Sequence, residues 1–300
     1  MWFLFAILTW VLWGTANLFY KKASNADDKF SHAKISIMVG TVMGIHATIY
    51  WITAGVHVEL QDFINYLPVS ALYIASMIFG YVGLRYLELS IVAPLQNSSG
   101  AITVLLLLLM FPKEITWVHI TGFIFILAGI IWLAFIEKKY DDLELRRKGI
   151  KVDTKYRYGF VALMFPLLYA LLDGLGTFAD GVVLDELAII KEGPAIIAYE
   201  YTWFAVAVVY FIILKAKRVD FKIRDQKNGF IAALLETAGQ FFYTYALASE
   251  SLLAAPIIAS FFVFSMILGR IFLKEKLSKS QYGVIAVIFI GIMILGYLDV

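Results

Sequence analysis

The chain has 300 residues, of which 61% are hydrophobic and only 16% are charged, against about 25% charged in a typical soluble domain. This composition excludes an ordinary soluble fold and indicates a membrane protein. Cysteine is absent, which excludes disulfides, thiolate catalysis and iron–sulfur or Cys-ligated zinc sites. The formal net charge of +2 is too small to indicate a class of partner.

Long apolar segments recur along the chain. A helix needs about 20 mostly apolar residues to cross the hydrocarbon core of a bilayer. Ten segments meet this requirement: 2–20, 35–54, 67–87, 90–111, 117–136, 158–180, 195–214, 229–248, 252–273 and 281–298. The first segment has no basic flank and no small-residue cleavage site after it, so we expect it to be retained rather than removed as a signal peptide. The sequence predicts an all-α membrane protein with ten transmembrane helices.

Lysine and arginine are distributed unevenly among the connections between these segments. The first, fifth, seventh and ninth loops are basic, whereas the second, fourth, sixth and eighth loops and both termini contain only Lys113 and Lys191. Because basic loops stay in the cytoplasm, we expect the odd-numbered loops to be cytoplasmic and both termini to be extracytoplasmic. The membrane is then the plasma (inner) membrane.

The two halves of the chain resemble each other. Four pairs of positions match at an offset of 161 or 162 residues: Glu88 with Glu250, Pro94 with Pro256, Lys113-Glu114 with Lys274-Glu275, and Gly122 with Gly283. Five helices per half is an odd number, so the second copy must enter the membrane inverted, as in many secondary transporters. We expect five-helix repeats at 1–137 and 158–300, joined by a basic cytoplasmic linker at 138–157.

This pattern resembles the drug/metabolite transporter superfamily, in particular its EamA-type members. The resemblance rests on Trp13-Gly14 in the first helix, on the steps Ala93-Pro94 and Ala255-Pro256, and on the two Lys-Glu turns. It implies a ten-helix carrier of small metabolites or drugs, with no enzymatic activity and no cofactor. Many members are described with cytoplasmic termini, whereas the charge pattern here places both termini outside.

Four acidic residues lie within predicted transmembrane segments, namely Asp173 and Asp180 in the stretch ALLDGLGTFADG, Glu200 and Glu236. Asp180 lies near a helix end. An acid inside a membrane is costly and usually functional. We expect Asp173, Glu200 and Glu236 to bind a cationic substrate or protons. The alternative is structural, because a protonated or hydrogen-bonded acid can also join helices, contributing about 1 kcal/mol.

Aromatic and polar residues accompany the acids. Charge and cation–π attraction together suit an organic ammonium or guanidinium group, although Trp and Tyr also occupy interfacial belts. The residues expected to line the cavity are Trp10, Trp13, Asn17, His46, Tyr50, Asn97, Tyr169, Thr177, Tyr199, Trp203, Gln240 and Tyr243.

Other classes of protein receive less support. The four histidines form no H-E-x-x-H pair, and neither a P-loop nor a G-x-S-x-G elbow is present, which argues against a zinc hydrolase, ATP-driven pumping and serine hydrolysis. We therefore expect a secondary active transporter of a small polar or cationic organic metabolite, coupled to protons. A proton-coupled carrier of neutral sugars or amino acids is the alternative, and an intramembrane lipid-modifying enzyme is less favoured. The partners expected are a small-molecule substrate, protons and lipid, and no metal or nucleic acid.

Overall fold

A computed structural model describes residues 1–24, 28–86, 99–111, 115–129, 132, 136, 159–272 and 279–297. The described secondary structure is entirely helical. The helices are α1 Trp2–Ala23, α2 Ser31–Ala54, α3 Leu60–Tyr86, α4 Ser99–Met110, α5 Trp117–Gly129, α6 Gly159–Gly181, α7 Glu192–Ala216, α8 Lys227–Ala259, α9 Phe262–Phe272 and α10 Lys279–Tyr297. A π-helical turn, Val182–Glu186, follows α6, and a 3-10 turn, Ile223–Gln226, precedes α8.

Six stretches of helix in the described residues are long and apolar enough to cross a membrane. They are Trp2–Ala23, Ser31–Ala54, Leu60–Gly83, Leu167–Glu186, Glu192–Ala216 and Ile223–Ser265. The helices Ser99–Met110, Trp117–Gly129 and Tyr282–Leu295 are apolar but shorter. Large apolar side chains such as Ile52, Leu109, Ile212 and Met293 are exposed, as expected for helices surrounded by lipid. The membrane class is confirmed, whereas the count of ten spans stays a prediction because parts of several predicted segments lie outside the described residues.

The boundary predicted between residues 248 and 252 coincides with a kink rather than a loop. Glu250 has the extended angles φ −165° and ψ 83° inside α8, so the helix axis breaks at this residue. A second break, which the hydropathy pattern did not predict, follows Ala259. There the amides of Ser260 and Phe261 donate to the carbonyls of Ile257 and Ile258, which tightens the last turn of α8 before α9 begins.

The helices pack in pairs across the two halves of the chain. α1 packs along α8, α3 along α6, and α2 along α7, while α4 contacts α6 and α9 contacts α1. Small residues permit the closest approach of α2 and α7, because a Cβ added at Gly40 would lie 2.6 Å from Ala207 Cβ. α5 and α10 also meet at a glycine, since a Cβ at Gly122 would lie 2.5 Å from Leu295 Cδ2. The candidate functional site lies where α1, α3, α4, α6, α7 and α8 come together.

Candidate functional site

A cavity with a volume of about 90 Å³ lies among α1, α3, α4, α6, α7 and α8. Since one water needs at least about 10–15 Å³ measured in this way, the cavity has room for several waters or for a small solute. Nine of the residues predicted to form the site line it: Trp13, Asn17, Tyr169, Asp173, Thr177, Tyr199, Glu236, Gln240 and Tyr243. The structure thus brings together predicted residues from four helices, namely α1 in the first half of the chain and α6, α7 and α8 in the second half.

Two carboxyl groups, those of Asp173 on α6 and Glu236 on α8, face this cavity. The Ser76 hydroxyl lies 3.5 Å from Asp173 Oδ1, and Tyr169 precedes Asp173 by one helical turn in the same lining. Glu236 is 8% exposed, and its carboxyl has no hydrogen-bond donor among the described residues. The described lining contains no lysine, arginine or histidine. If both carboxyls are ionised, a positively charged solute would therefore supply the counter-charge that the lining lacks.

Trp13 forms an aromatic wall of the cavity. Its ring stacks on Tyr243, with centroids 5.0 Å apart and an interplanar angle of 28°, and meets Phe261 edge-on at 5.9 Å. The indole Nε1 donates to the carbonyl oxygen of Glu236 at 3.3 Å. The indole also lies directly against the backbone of α8, because a Cβ at Gly239 would come within 2.6 Å of Nε1. α8 therefore fixes the orientation of Trp13.

Hydroxyl groups connect the other side of the cavity to α3. The Tyr73 hydroxyl donates to Thr177 Oγ1 at 2.9 Å and forms a short hydrogen bond with the Tyr243 hydroxyl. Further along α6, the Tyr66 hydroxyl donates to Asp180 Oδ1 at 2.6 Å. Asp180 is completely buried and does not belong to the cavity lining.

Gln240 places a side-chain amide in the lining of the cavity. It follows Glu236 by one helical turn and is 2% exposed, yet its Nε2 has no hydrogen-bond partner among the described residues. A buried amide without a partner is costly, so a solute that bonded to Gln240 would recover this energy.

The structure places Glu200 and His46 together but outside the cavity lining. The imidazole Nδ1 of His46 lies 2.7 Å from Glu200 Oε2 and 2.9 Å from Oε1. Tyr50 stacks on His46, with centroids 5.9 Å apart, and its hydroxyl meets that of Tyr245 at 3.1 Å. His46, Glu200, Tyr50 and Tyr245 thus form a separate polar cluster between α2, α7 and α8.

Two predicted tryptophans also lie outside the lining. Trp10 Nε1 donates to Ser260 Oγ at 3.0 Å, and its ring packs on Phe264. Trp203 Nε1 donates to the Tyr199 hydroxyl at 2.9 Å and so supports a lining residue from behind. The last predicted residue, Asn97, lies outside the described residues.

The sequence analysis missed three lining tyrosines, Tyr20, Tyr73 and Tyr81. Tyr73 and Tyr81 are eight residues apart, which places them on one face of α3. Tyr20 follows Trp13 by seven residues and shares its face of α1. This spacing could have identified the three tyrosines as residues of the cavity faces of α1 and α3. The prediction relied on acids inside the membrane, however, and α3 has no acid in its centre.

The described residues contain no group of three His, Asp or Glu side chains that could hold a metal ion.

Comparison with known proteins agrees with the family resemblance. A family model described as the EamA-like transporter family matches residues 1–135 and 162–297. A solved crystal structure is similar over 99% of this chain and 98% of its own, with a TM-score of 0.71 and 14% sequence identity. At that identity the likeness shows the fold alone. A search of curated proteins gives no match.

Proposed function

Because the chain belongs to the EamA-like transporter family, we propose that it is a secondary active transporter that couples the movement of a small organic cation to protons. The observation that carries this proposal is the cavity in which Asp173 and Glu236 face an aromatic wall. A cation in this cavity would be attracted by the carboxylates and by the ring faces of Trp13 and the tyrosines. Cation–π attraction in a site sheltered from water contributes about 2 kcal/mol.

The two carboxyls also offer a mechanism for coupling. Each can hold either a proton or part of the charge of a bound cation, so the two ligands compete for the same oxygens. If the cavity can change the side on which it opens only when a proton or the cation is bound, a proton gradient across the membrane drives transport of the cation in the opposite direction. The affinity for each ligand then depends on the concentration of the other.

The packing of the helices supports two inverted five-helix repeats. In an inverted repeat, each helix of one half corresponds to the helix five positions away in the other half. The pair α1–α8 then corresponds to α6–α3, and the pair α4–α6 corresponds to α9–α1. All four pairs are in contact. The pair α2–α7 corresponds to itself. This is the pattern expected of a pseudo-two-fold axis, along which transporter sites lie. We accordingly propose ten transmembrane helices, with both termini outside the plasma membrane, and repeats at 1–137 and 158–300.

A neutral solute is the second candidate. The free amide of Gln240 can bond to a sugar hydroxyl or a carbonyl group, and the tyrosine rings can stack on a sugar. In that case Asp173 and Glu236 would carry protons alone. Cations and neutral solutes therefore have to be compared directly.

The test uses purified protein in liposomes on a solid-supported membrane. Currents are recorded for tetramethylammonium, choline, neutral amino acids and sugars, with and without a pH gradient. We expect currents for the ammonium compounds that disappear in Glu236→Gln and Asp173→Asn. The matched control is Glu200→Gln, which makes the same change in a buried acid outside the cavity lining and should retain the current.

Each other outcome has a definite meaning. If only neutral solutes produce proton-dependent currents, the cation proposal is wrong and the second candidate replaces it. If Glu200→Gln abolishes the ammonium current while the cavity variants retain it, the charge that binds substrate belongs to the His46–Glu200 pair. If no solute produces a current, the proposal of a secondary transporter loses its support.

A further inference from the structure

We propose that Asp180 is a proton-binding site separate from the solute cavity and joined to it by tyrosine hydroxyls. This inference rests on the proposed function, because it adds a proton site to the same transporter. It concerns the Asp180 carboxyl, which does not line the cavity and has no partner of opposite charge among the described residues.

The position of Asp180 is set by an antiparallel contact between α3 and α6. Along this contact Tyr66 bonds to Asp180, Tyr73 bonds to Thr177, and Ser76 lies beside Asp173. The three α6 residues are spaced four and three residues apart, which places them on one face of the helix. Asp180 is therefore the end of a polar row that starts in the cavity at Asp173.

The carboxyl of Asp180 is only half satisfied. The residue is 0% exposed, and Oδ1 accepts from the Tyr66 hydroxyl at 2.6 Å. Oδ2 has no hydrogen-bond partner among the described residues. An ionised carboxylate would leave charge on an oxygen shielded from water, which costs several kcal/mol. A proton on Oδ2 removes that charge, so the geometry suits a site that gains and loses a proton.

The groups around Asp180 are hydroxyls rather than charges. The Tyr66 hydroxyl donates to the carboxyl from α3, and Tyr243 lies near it on α8. Neither helix places a lysine, arginine or histidine in a hydrogen bond or ion pair with it within the described residues. A protein built to keep this acid ionised would require such a cation or several donors. A purely structural acid would more commonly have both oxygens bonded.

Tyr243 links this site to the cavity. Its hydroxyl bonds to Tyr73, its ring stacks under Trp13, and it belongs to the cavity lining. A hydroxyl can accept a proton on its oxygen while donating its own proton to the next oxygen, so charge and atoms balance at each step. The hydroxyls of Tyr243, Tyr73 and Thr177, which bond to one another in that order, thus give a proton a route from the side of Asp180 to the solute.

The experiment separates proton movement from solute movement. Tetramethylammonium is the probe, because it has no ionisable proton and any proton movement must involve the protein. Exchange of labelled tetramethylammonium is measured in liposomes without a pH gradient. Proton movement is measured with a pH-sensitive dye trapped inside the liposomes when a tetramethylammonium gradient is imposed.

We expect Asp180→Asn to retain exchange while its proton movement falls about tenfold, within the usual range for the coupling between two ligands. Asparagine has the same shape and can still accept the bond from Tyr66, so the fold should be kept. Asp180→Glu should restore part of the proton movement. Asp185→Asn is the control, because Asp185 bonds to Ser251 instead and lies outside the hydroxyl chain.

Wild-type proton movement in Asp180→Asn would overturn the inference while leaving the proposed transport intact. Absence of tetramethylammonium exchange in the wild-type protein contradicts the proposed cation transport instead. Infrared difference spectra provide a measurement that needs no solute. Carbonyl bands of protonated carboxyls should appear as pH is lowered, and the component that belongs to Asp180 should be missing in Asp180→Asn while those of Asp173 and Glu236 remain. An unchanged band in that variant would also contradict the inference.

Discussion

The His46 imidazole and the Glu200 carboxyl form a hydrogen-bonded pair in which only the histidine reaches the surface. Nδ1 lies 2.7 Å from Oε2, and the side chains are 33% and 0% exposed respectively. The buried Glu200 carboxyl therefore depends on His46 for a hydrogen bond. The imidazole is partly exposed and can find another hydrogen-bond partner if Glu200 is replaced. The difference in burial predicts a difference in the cost of removing each partner.

We expect His46→Ala to lower the free energy of unfolding by about 3 kcal/mol, because it leaves a buried carboxylate without a partner. Glu200→Gln should cost about 1 kcal/mol, since the amide can still bond to the imidazole. The measurement is thermal unfolding of the purified protein in detergent. His57→Ala is the control, because His57 and Glu59 are 85% and 68% exposed and 3.9 Å apart. Equal losses in the two buried-pair variants would contradict the assigned asymmetry.

The contact between Gly239 and Trp13 gives a second prediction. Gly239→Ala would place a methyl group 2.6 Å from the indole Nε1, so the indole must move away from Tyr243 and from the cavity. We expect loss of solute transport and a shift in tryptophan fluorescence. Gly229→Ala on the same helix is the control, because its nearest neighbour is Met38 Cγ at 3.6 Å. That change should leave transport intact and stabilise the helix by up to about 1 kcal/mol.

Normal transport in Gly239→Ala would mean that Trp13 can leave the cavity without consequence. The aromatic wall would then not contribute to solute binding. A loss of activity in both glycine variants would instead indicate a general effect of substitutions in α8.

The membrane class and the positions of the helices could be predicted because bilayer thickness fixes the length of an apolar span. The break after Ala259 could not, because a proline within a transmembrane helix frees a backbone group but does not say where the chain will turn. Pro256 precedes the break by four residues. Its counterpart in the first half, Pro94, lies outside the described residues.

The acids of the cavity could be predicted more readily than its aromatic residues. Asp173 and Glu236 are identified by their cost in a membrane, whatever the orientation of their helices. Trp10 and Trp13 both lie on α1, three residues apart, and the sequence favoured both equally. Only packing decides that Trp13 faces α8 while Trp10 lies against Phe264. The rotation of a helix about its axis depends on how it packs against its neighbours. The spacing of residues within that helix carries no information about this packing.

Trp13 provides a third prediction. Trp13→Phe should weaken tetramethylammonium binding modestly and Trp13→Ala should weaken it by about tenfold, because cation–π attraction is strongest for indole and contributes up to about 2 kcal/mol. Isothermal titration calorimetry measures the affinity. Trp10→Phe is the matched control on the same helix and should leave the affinity unchanged. Weaker binding in Trp10→Phe than in Trp13→Phe would assign the cation to a different face of α1.

The pH dependence of binding gives the fourth prediction. A cation is attracted by the ionised forms of Asp173 and Glu236, and each proton bound removes one negative charge from the cavity. The dissociation constant for tetramethylammonium should therefore rise as pH falls, by at most about tenfold per pH unit for each carboxyl that must lose a proton. Tetramethylammonium has no proton to exchange, so the dependence belongs to the protein.

Variants decide which carboxyl is responsible for this dependence. Glu236→Gln and Asp173→Asn should each flatten the dependence of the dissociation constant on pH, and the double variant should remove it. His46→Gln tests a titratable group outside the cavity lining and should leave the slope unchanged, because His46 bonds to Glu200 there. If the slope instead follows His46, protonation of the outer pair controls access to the cavity, and competition at Asp173 and Glu236 is not the basis of coupling.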